Sequence, residues 1–196
     1  MLLRPKYAGD SYSKRELFLT LLIWVLILAG LGYALGWWGR YAHRWQCGAE
    51  RVQLLSRDTF FVTEGTRFSG GGGQSDRFAV TGRHSLRLDG RRPYGFGLQL
   101  YDIDPSDRLR ATVWRYAPEG SYAPAGVLVA AMKGTDLYEV GERIIERRAD
   151  GWEQLELRLP KLPPRRFATL SIYCWNSQPT PLYFDDLEVV RTTSTD

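Results

Sequence analysis

An all-β sandwich preceded by a single transmembrane α-helix is the fold class the sequence predicts, and three observations predict it. Trp and Tyr number 7 and 11, with 20 Gly, among 196 residues; this mixture favours strands and tight turns over helices. Short alternating apolar runs, separated by turn chemistry, recur from residue 58 onward. One uncharged stretch, "LFLTLLIWVLILAGLGYALGWW", occupies 17–38. The length suffices for one well-buried domain with extras.

Residues 1–16 read as a short cytoplasmic tail. The run 17–38 follows, and about 20 apolar residues are enough to cross a bilayer core as a helix. Trp37, Trp38 and Tyr41 stand at its far end, where an aromatic belt would lie. The run is too long for the apolar core of a cleaved signal peptide, and no small-x-small cleavage site closes it. The expectation is an uncleaved signal anchor in the cell (inner) membrane. Gly32 and Gly36 make a GxxxG pair at which another helix could approach. Residues 1–38 and 39–57 hold four basic groups each, so flanking charge says little about orientation. The expected arrangement places the N-terminus in the cytoplasm and the C-terminal domain in the periplasm or otherwise outside. Residues 39–57 read as a juxtamembrane segment.

The domain is expected over 58–192, with 193–196 as a tail. "DTFFVTE" is its first strand. "TRFSGGGGQSD" reads as a loop, because consecutive glycines hold regular structure at high entropic cost. The next strand signals are "RFAV", "HSLRLD", "FGLQLYD", "DRLRATVWRY", "AGVLVAAM", "LYEVGERIIERR", "WEQLELRL", "FATLSIYCWN" and "LYFDDLEVV". Within the sixth of these, "RIIERR" also suits a short helix. Turn clusters such as "DGRRPYG", "DIDPSD" and "SQPTP" separate the runs. Nine or ten short strands spaced this way predict a β-sandwich. In "WEQLELRLP", Leu155, Leu157 and Leu159 share one face; in "ATLSIYCWN", Leu170, Ile172 and Cys174 do, leaving Tyr173 and Trp175 opposite.

Charge narrows the partners. The chain carries 26 basic and 22 acidic groups, but residues 58–196 hold 18 and 19. The basic excess lies in the flanks, so charge gives no support for a nucleic-acid partner. Cys47 and Cys174 allow one disulfide in an exported domain, or two free thiols, and belong to no metal or haem motif. Neither a Ser-His-Asp set nor a phosphate loop is present: "SGGGGQSD" lacks the lysine and following helix of a P-loop. Asp185 and Asp186 are strand neighbours, expected on opposite faces, which denies them the geometry of a catalytic pair. The expectation is a non-enzyme.

"TGRHSLRLDG", "DRLRATVWRY", "GWEQLELRL" and "YFDDLEVV", in that order, resemble the landmarks of carbohydrate-binding-module-like jelly rolls, galactose-binding-domain-like β-sandwiches. The resemblance covers about 58–192 and implies a jelly-roll-like antiparallel sandwich with a binding task. It also implies a structural calcium with ligands from Glu64, the Gly82–Ser85 turn (Ser85) and Asp185 or Asp186. Oxygen ligands from distant segments suit that ion. The competing reading has one aspartate hydrogen-bonded at a strand end and the other solvated.

For a sugar, exposed rings matter, since a flat apolar ring face matches the C–H face of a pyranose. Tyr173 and Trp175, with Asn176 beside them to exchange hydrogen bonds, form one candidate face. Trp114 and Tyr116 share a face of another strand; Tyr101 and Tyr138 are weaker candidates. Trp114 and Trp152 equally suit the core. Two functions remain open. One is a membrane-anchored binding protein engaging an envelope glycan or a protein partner. The other is an accessory subunit of a larger integral-membrane complex, held by its helix and sandwich.

Overall fold

The structure, a computed structural model, describes Phe18 and residues 21–27, 40–163 and 169–194. Phe18 and residues 21–27 are helical, with the apolar side chains exposed. Among the described residues no helix is long and apolar enough to cross a membrane. Most of 17–38, Gly32 and Gly36 included, lies outside them.

The sandwich opens with β1 (Arg40–Cys47), β2 (Val52–Leu55), β3 (Asp58–Thr63) and β4 (Thr66–Ser69). A 3-10 turn at Gly71–Gly73 leads to β5 (Gln74–Ser75), β6 (Ser85–Leu88), β7 (Tyr94–Leu100) and β8 (Arg108–Tyr116). A second such turn at Ala123–Ala125 precedes β9 (Gly126–Met132), β10 (Tyr138–Gly141) and β11 (Arg143–Arg147). The chain ends in β12 (Glu153–Leu159), β13 (Leu170–Asn176) and β14 (Leu182–Ser194).

Two sheets result. The first runs β11-β12-β8-β14-β6-β5, with β1 also on β14; the second runs β10-β9-β13-β7-β4-β3-β2. Neighbours along both paths are antiparallel. The all-β, antiparallel two-sheet sandwich is the architecture the sequence predicts. Its core fills from the alternation: Leu155, Leu157 and Leu159 of β12 and Leu170, Ile172 and Cys174 of β13 are all buried. Each fully buried aliphatic side chain of this kind contributes about 1.5–3 kcal/mol of transfer energy.

Several boundaries differ from expectation. Residues 39–57, expected as a juxtamembrane segment ahead of the domain, supply β1 and β2 of the sandwich, and Cys47 and Ala49 enter the core. The loop "TRFSGGGGQSD" contains β4 and β5, because Phe68 points into the core and ties the segment down. "RFAV" is not a strand; it belongs to the connection between β5 and β6. "RIIERR" is strand, paired to β12 through a bulge between Ile144 and Glu146. β14 continues to Ser194, into the expected tail. Both cysteines are free and buried. Arg115 also lies almost wholly buried, with Nη1 donating to Gly126 O and Nη2 to Glu153.

Candidate functional site

Strand parity places Ser171, Tyr173 and Trp175 of β13 on the outer face of the second sheet, with Leu170, Ile172, Cys174 and Asn176 turned inward. Trp175 pairs with Val127 and Tyr173 with Val129 on β9. Those valines are buried yet stand outside the core between the sheets. Their cover therefore comes from the outer face, where the half-buried rings sit beside them. Burial, then the neighbouring Tyr138 and Tyr94, raises the Tyr173 phenol.

On the other side of β13, β7 brings Tyr94 to the same surface by an irregular route. Leu98 pairs with Ile172, but Gly95 pairs with Cys174, so Phe96 and Gly97 together oppose Tyr173. Phe96 adopts φ 51 and remains fully buried. This bulge lets Tyr94 and Gln99, five residues apart, both point outward. The Tyr94 ring lies nearly parallel to Trp175 (14°, centroids 6.3 Å) and edge-on to Tyr173 (74°, 5.8 Å). Gly97 opposes Ser69 of β4, and a Cβ at Gly97 would overlap Ser69 Oγ.

The result is an open depression of about 500 Å³. Its floor is Gly95, Gly97 and Leu98. Tyr94 and Tyr173 wall one side; Phe60, Arg67, Ser69, Gln99, Tyr101 and Ser171 complete the lining. That volume lies within the range of small-ligand sites, about 300–1,000 Å³. Tyr94 and Tyr101 are 56% and 61% exposed. Tyr138, on β10, is exposed on the same sheet. Sequence reasoning singled out Tyr173 and Trp175 and missed Tyr94, Phe60 and Arg67. The "YGFGLQLY" spacing, with its two glycines, was the available sign of a break in β7 alternation.

The remaining aromatic candidates lie elsewhere. Trp114 and Tyr116 belong to β8, in the first sheet, and so do not share a surface with Tyr173 and Trp175. Tyr116 is packed in a ring cluster with Phe78 (4.7 Å) and Trp152 (5.4 Å), and Phe78 continues it to Tyr183 (4.9 Å). The Trp114 ring lies under the Arg148 guanidinium. Trp152 is buried, as an anchor would be, but outside the central core. Asn176 is a structural lock rather than a ligand group. It is 1% exposed, its Nδ2 donates to Leu88 O (3.0 Å) and Thr180 O (2.8 Å), and its Oδ1 accepts from Gln178 N (3.0 Å).

The two aspartates do not alternate across β14. A register shift between Asp185 and Glu188, with Asp186 at φ 48, turns both toward one loop. Asp185 Oδ2 accepts from Val80 N (2.8 Å) and Thr81 N (3.3 Å), and Oδ1 from Asp186 N (2.8 Å). Asp186 Oδ1 accepts from Thr81 Oγ1 (2.9 Å). Glu50 fastens the next residues, accepting from Arg83 N (3.0 Å), His84 N (2.9 Å) and facing His84 Nδ1 (3.2 Å). Gly82 (φ 60) is required there, since a Cβ would overlap Glu50 Oε1.

Burial, then the charge of Asp186, raises the Asp185 carboxyl to about 7. Glu50 is partly buried, which pushes its pKa up, but the His84 and Arg83 amides and the His84 ring outweigh this and lower it. Glu64 sits exposed in the β3–β4 turn at φ 42, and Ser85 is buried on β6 with no hydrogen-bond partner for Oγ. Among the described residues no group of three His, Cys, Asp or Glu side chains could hold a metal ion. Glu64, Ser85, Asp185 and Asp186 thus do not fit the calcium ligand set the resemblance implied. The oxygens of Asp185 already face amides.

No protein-family model and no curated protein matches the chain. Solved structures similar to it include a CBM22-1 xylan-binding domain from Paenibacillus barcinonensis, at 13% identity and TM-score 0.47, covering 78% of this chain and 95% of that one. A CBM35 module from Cellvibrio japonicus is similar at 12% identity and TM-score 0.42, covering 79% and 100%. A further CBM22 xylan-binding domain is similar at 13% identity and TM-score 0.39, covering 80% and 96%.

Proposed function

We propose that the chain is a non-catalytic glycan-binding protein, anchored by residues 17–38 with its sandwich outside the cytoplasmic membrane. The observation that carries the binding reading is the aromatic shelf on the second sheet. Tyr94 and Trp175 offer nearly parallel faces, and Tyr173 stands edge-on beside them. A pyranose would lay its C–H face on the shelf. The polar rim of Ser69, Gln99 and Ser171 would meet its hydroxyls. A single weak sugar contact gains from proximity, so a membrane anchor suits a module that retains a polymer near the surface. The anchor itself is supported by the uncharged length of 17–38.

The test is affinity electrophoresis of the full-length chain, in mild detergent, through gels holding arabinoxylan, mixed-linkage β-glucan or polygalacturonate. At least one polymer should retard it, and Tyr94→Ala and Tyr173→Ala should each weaken that retention about ten-fold, some 1.4 kcal/mol. Free migration of the wild type through all three gels would refute the reading.

A further inference from the structure

The depression's polar lining is strongly one-sided. Among the described residues that line it, only Arg67 is charged, and none is a carboxylate. Arg67 is exposed on β4 and has no salt-bridge partner among the described residues. Gln99 leans the same way: the Tyr101 hydroxyl donates to its Oε1 (2.7 Å), which leaves Nε2 as the free end. Ser69 and Ser171 add hydroxyls that rotate to donate.

The turn that feeds Tyr94 extends the same sign. Arg87, Arg91, Arg92 and Asp89 line a second depression there, together with Gly90 and Pro179. Asp89 pairs with Arg87 (2.9 Å), leaving Arg91 and Arg92 without an ion-pair partner among the described residues. The domain beyond residue 58 has almost no net charge, so this local excess is not a reflection of overall composition.

A neutral sugar offers hydroxyls that both donate and accept, and a site for it usually supplies acceptors as well as donors. A cleft with donors, one free guanidinium and no ionised acceptor suits a ligand that is itself an anionic acceptor. Arginine's planar fork matches a carboxylate bidentately. On the reading that the aromatic shelf binds a glycan, we infer that its ligand is an acidic one, a uronic-acid-containing polysaccharide. The sugar ring lies on the Tyr94 face, with Tyr173 edge-on beside it, and its carboxylate pairs with Arg67.

The experiment is calorimetric titration of the full-length chain in mild detergent, at low and at moderate salt. The ligands are polygalacturonate fragments, the same fragments fully methyl-esterified, neutral arabinoxylan fragments, and dextran sulfate as a non-carboxylate polyanion. The free acid should bind about ten-fold tighter than its ester, with the difference shrinking as salt rises. Arg67→Gln should reduce acid binding to the level of the ester, so that the two ligands bind alike. Arg67→Lys should restore part of the loss. Equal binding of acid and ester, tighter binding of arabinoxylan, preference for dextran sulfate, or indifference to Arg67→Gln would each overturn the inference while leaving glycan binding intact. If no carbohydrate binds, the proposed function falls as well.

Discussion

Asn176→Ala separates a structural from a ligand-binding role for the residue next to Trp175. The side chain is 1% exposed and makes three hydrogen bonds, to Leu88 O, Thr180 O and Gln178 N. The first closes a link to β6 in the opposite sheet, and the other two fix the turn before β14. Truncation removes all three and strands a buried carbonyl at Leu88. Partly buried groups at Thr180 and Gln178 recover water, so each of those bonds is worth about 0.5–1 kcal/mol net, and the stranded carbonyl costs about 1–3 kcal/mol. The expected loss is about 3 kcal/mol. In urea unfolding followed by tryptophan fluorescence, with a slope of about 2 kcal/mol/M, the midpoint should fall by about 1.5 M. Glycan affinity, measured without urea on the folded fraction, should be unchanged. A midpoint shift below about 0.3 M, or lost binding at full folding, would refute the reasoning.

Arg115→Met should destabilise the sandwich by about 3 kcal/mol, because it frees the Gly126 carbonyl and unpairs Glu153 on its buried side. The double variant with Glu153→Leu should recover part of this in the same urea assay; no recovery would mean that packing, not charge, dominates. The Asp185 carboxyl, raised to about 7 by burial and then by Asp186, keeps a proton in the folded chain that the unfolded chain releases near pH 4. Its contribution to stability is therefore full below about pH 4 and is lost as pH rises toward 7, and Asp185→Asn should remove that decline. Parallel midpoint-against-pH curves for the two proteins would contradict it. Millimolar calcium should leave the wild-type midpoint in place, since the Asp185 oxygens already hold three amides; a rise in midpoint with added calcium would show that the loop rearranges to admit the ion.

The parts of the fold visible in the sequence are those where alternation is uninterrupted. Leu155, Leu157 and Leu159 announce β12, and Leu170, Ile172 and Cys174 announce β13 with Tyr173 and Trp175 outward. The same parity places Asn176 on the core side, a signal that its polar chemistry obscured. Alternation does not say which sheet a strand joins, so nothing local separates Trp114 from Trp175. It also fails at bulges. Asp185 and Asp186 address one loop, and Tyr94 comes outward, only because β14 and β7 each carry a residue that breaks the count. β1, β2 and β4 lack strong local patterns and are fixed by long-range partners: Cys47, Ala49 and Phe68 are buried by other segments of the chain.

The extra residue in β7 divides that strand into two stretches with separate duties. Leu98 and Leu100 belong to the interior, while Tyr94 belongs to the surface, and Phe96 is the joint between their phases. Deleting one residue at that joint should leave the interior leucines in register and turn Tyr94 indoors. The product would present a surface with no shelf and would also unfold well below the wild-type midpoint, because Phe96 is fully buried and a side chain in place of Gly95 would collide with Leu86. Stability and recognition are thus tied to one joint within seven residues, so heritable change that retunes what this face meets must also keep the chain folded.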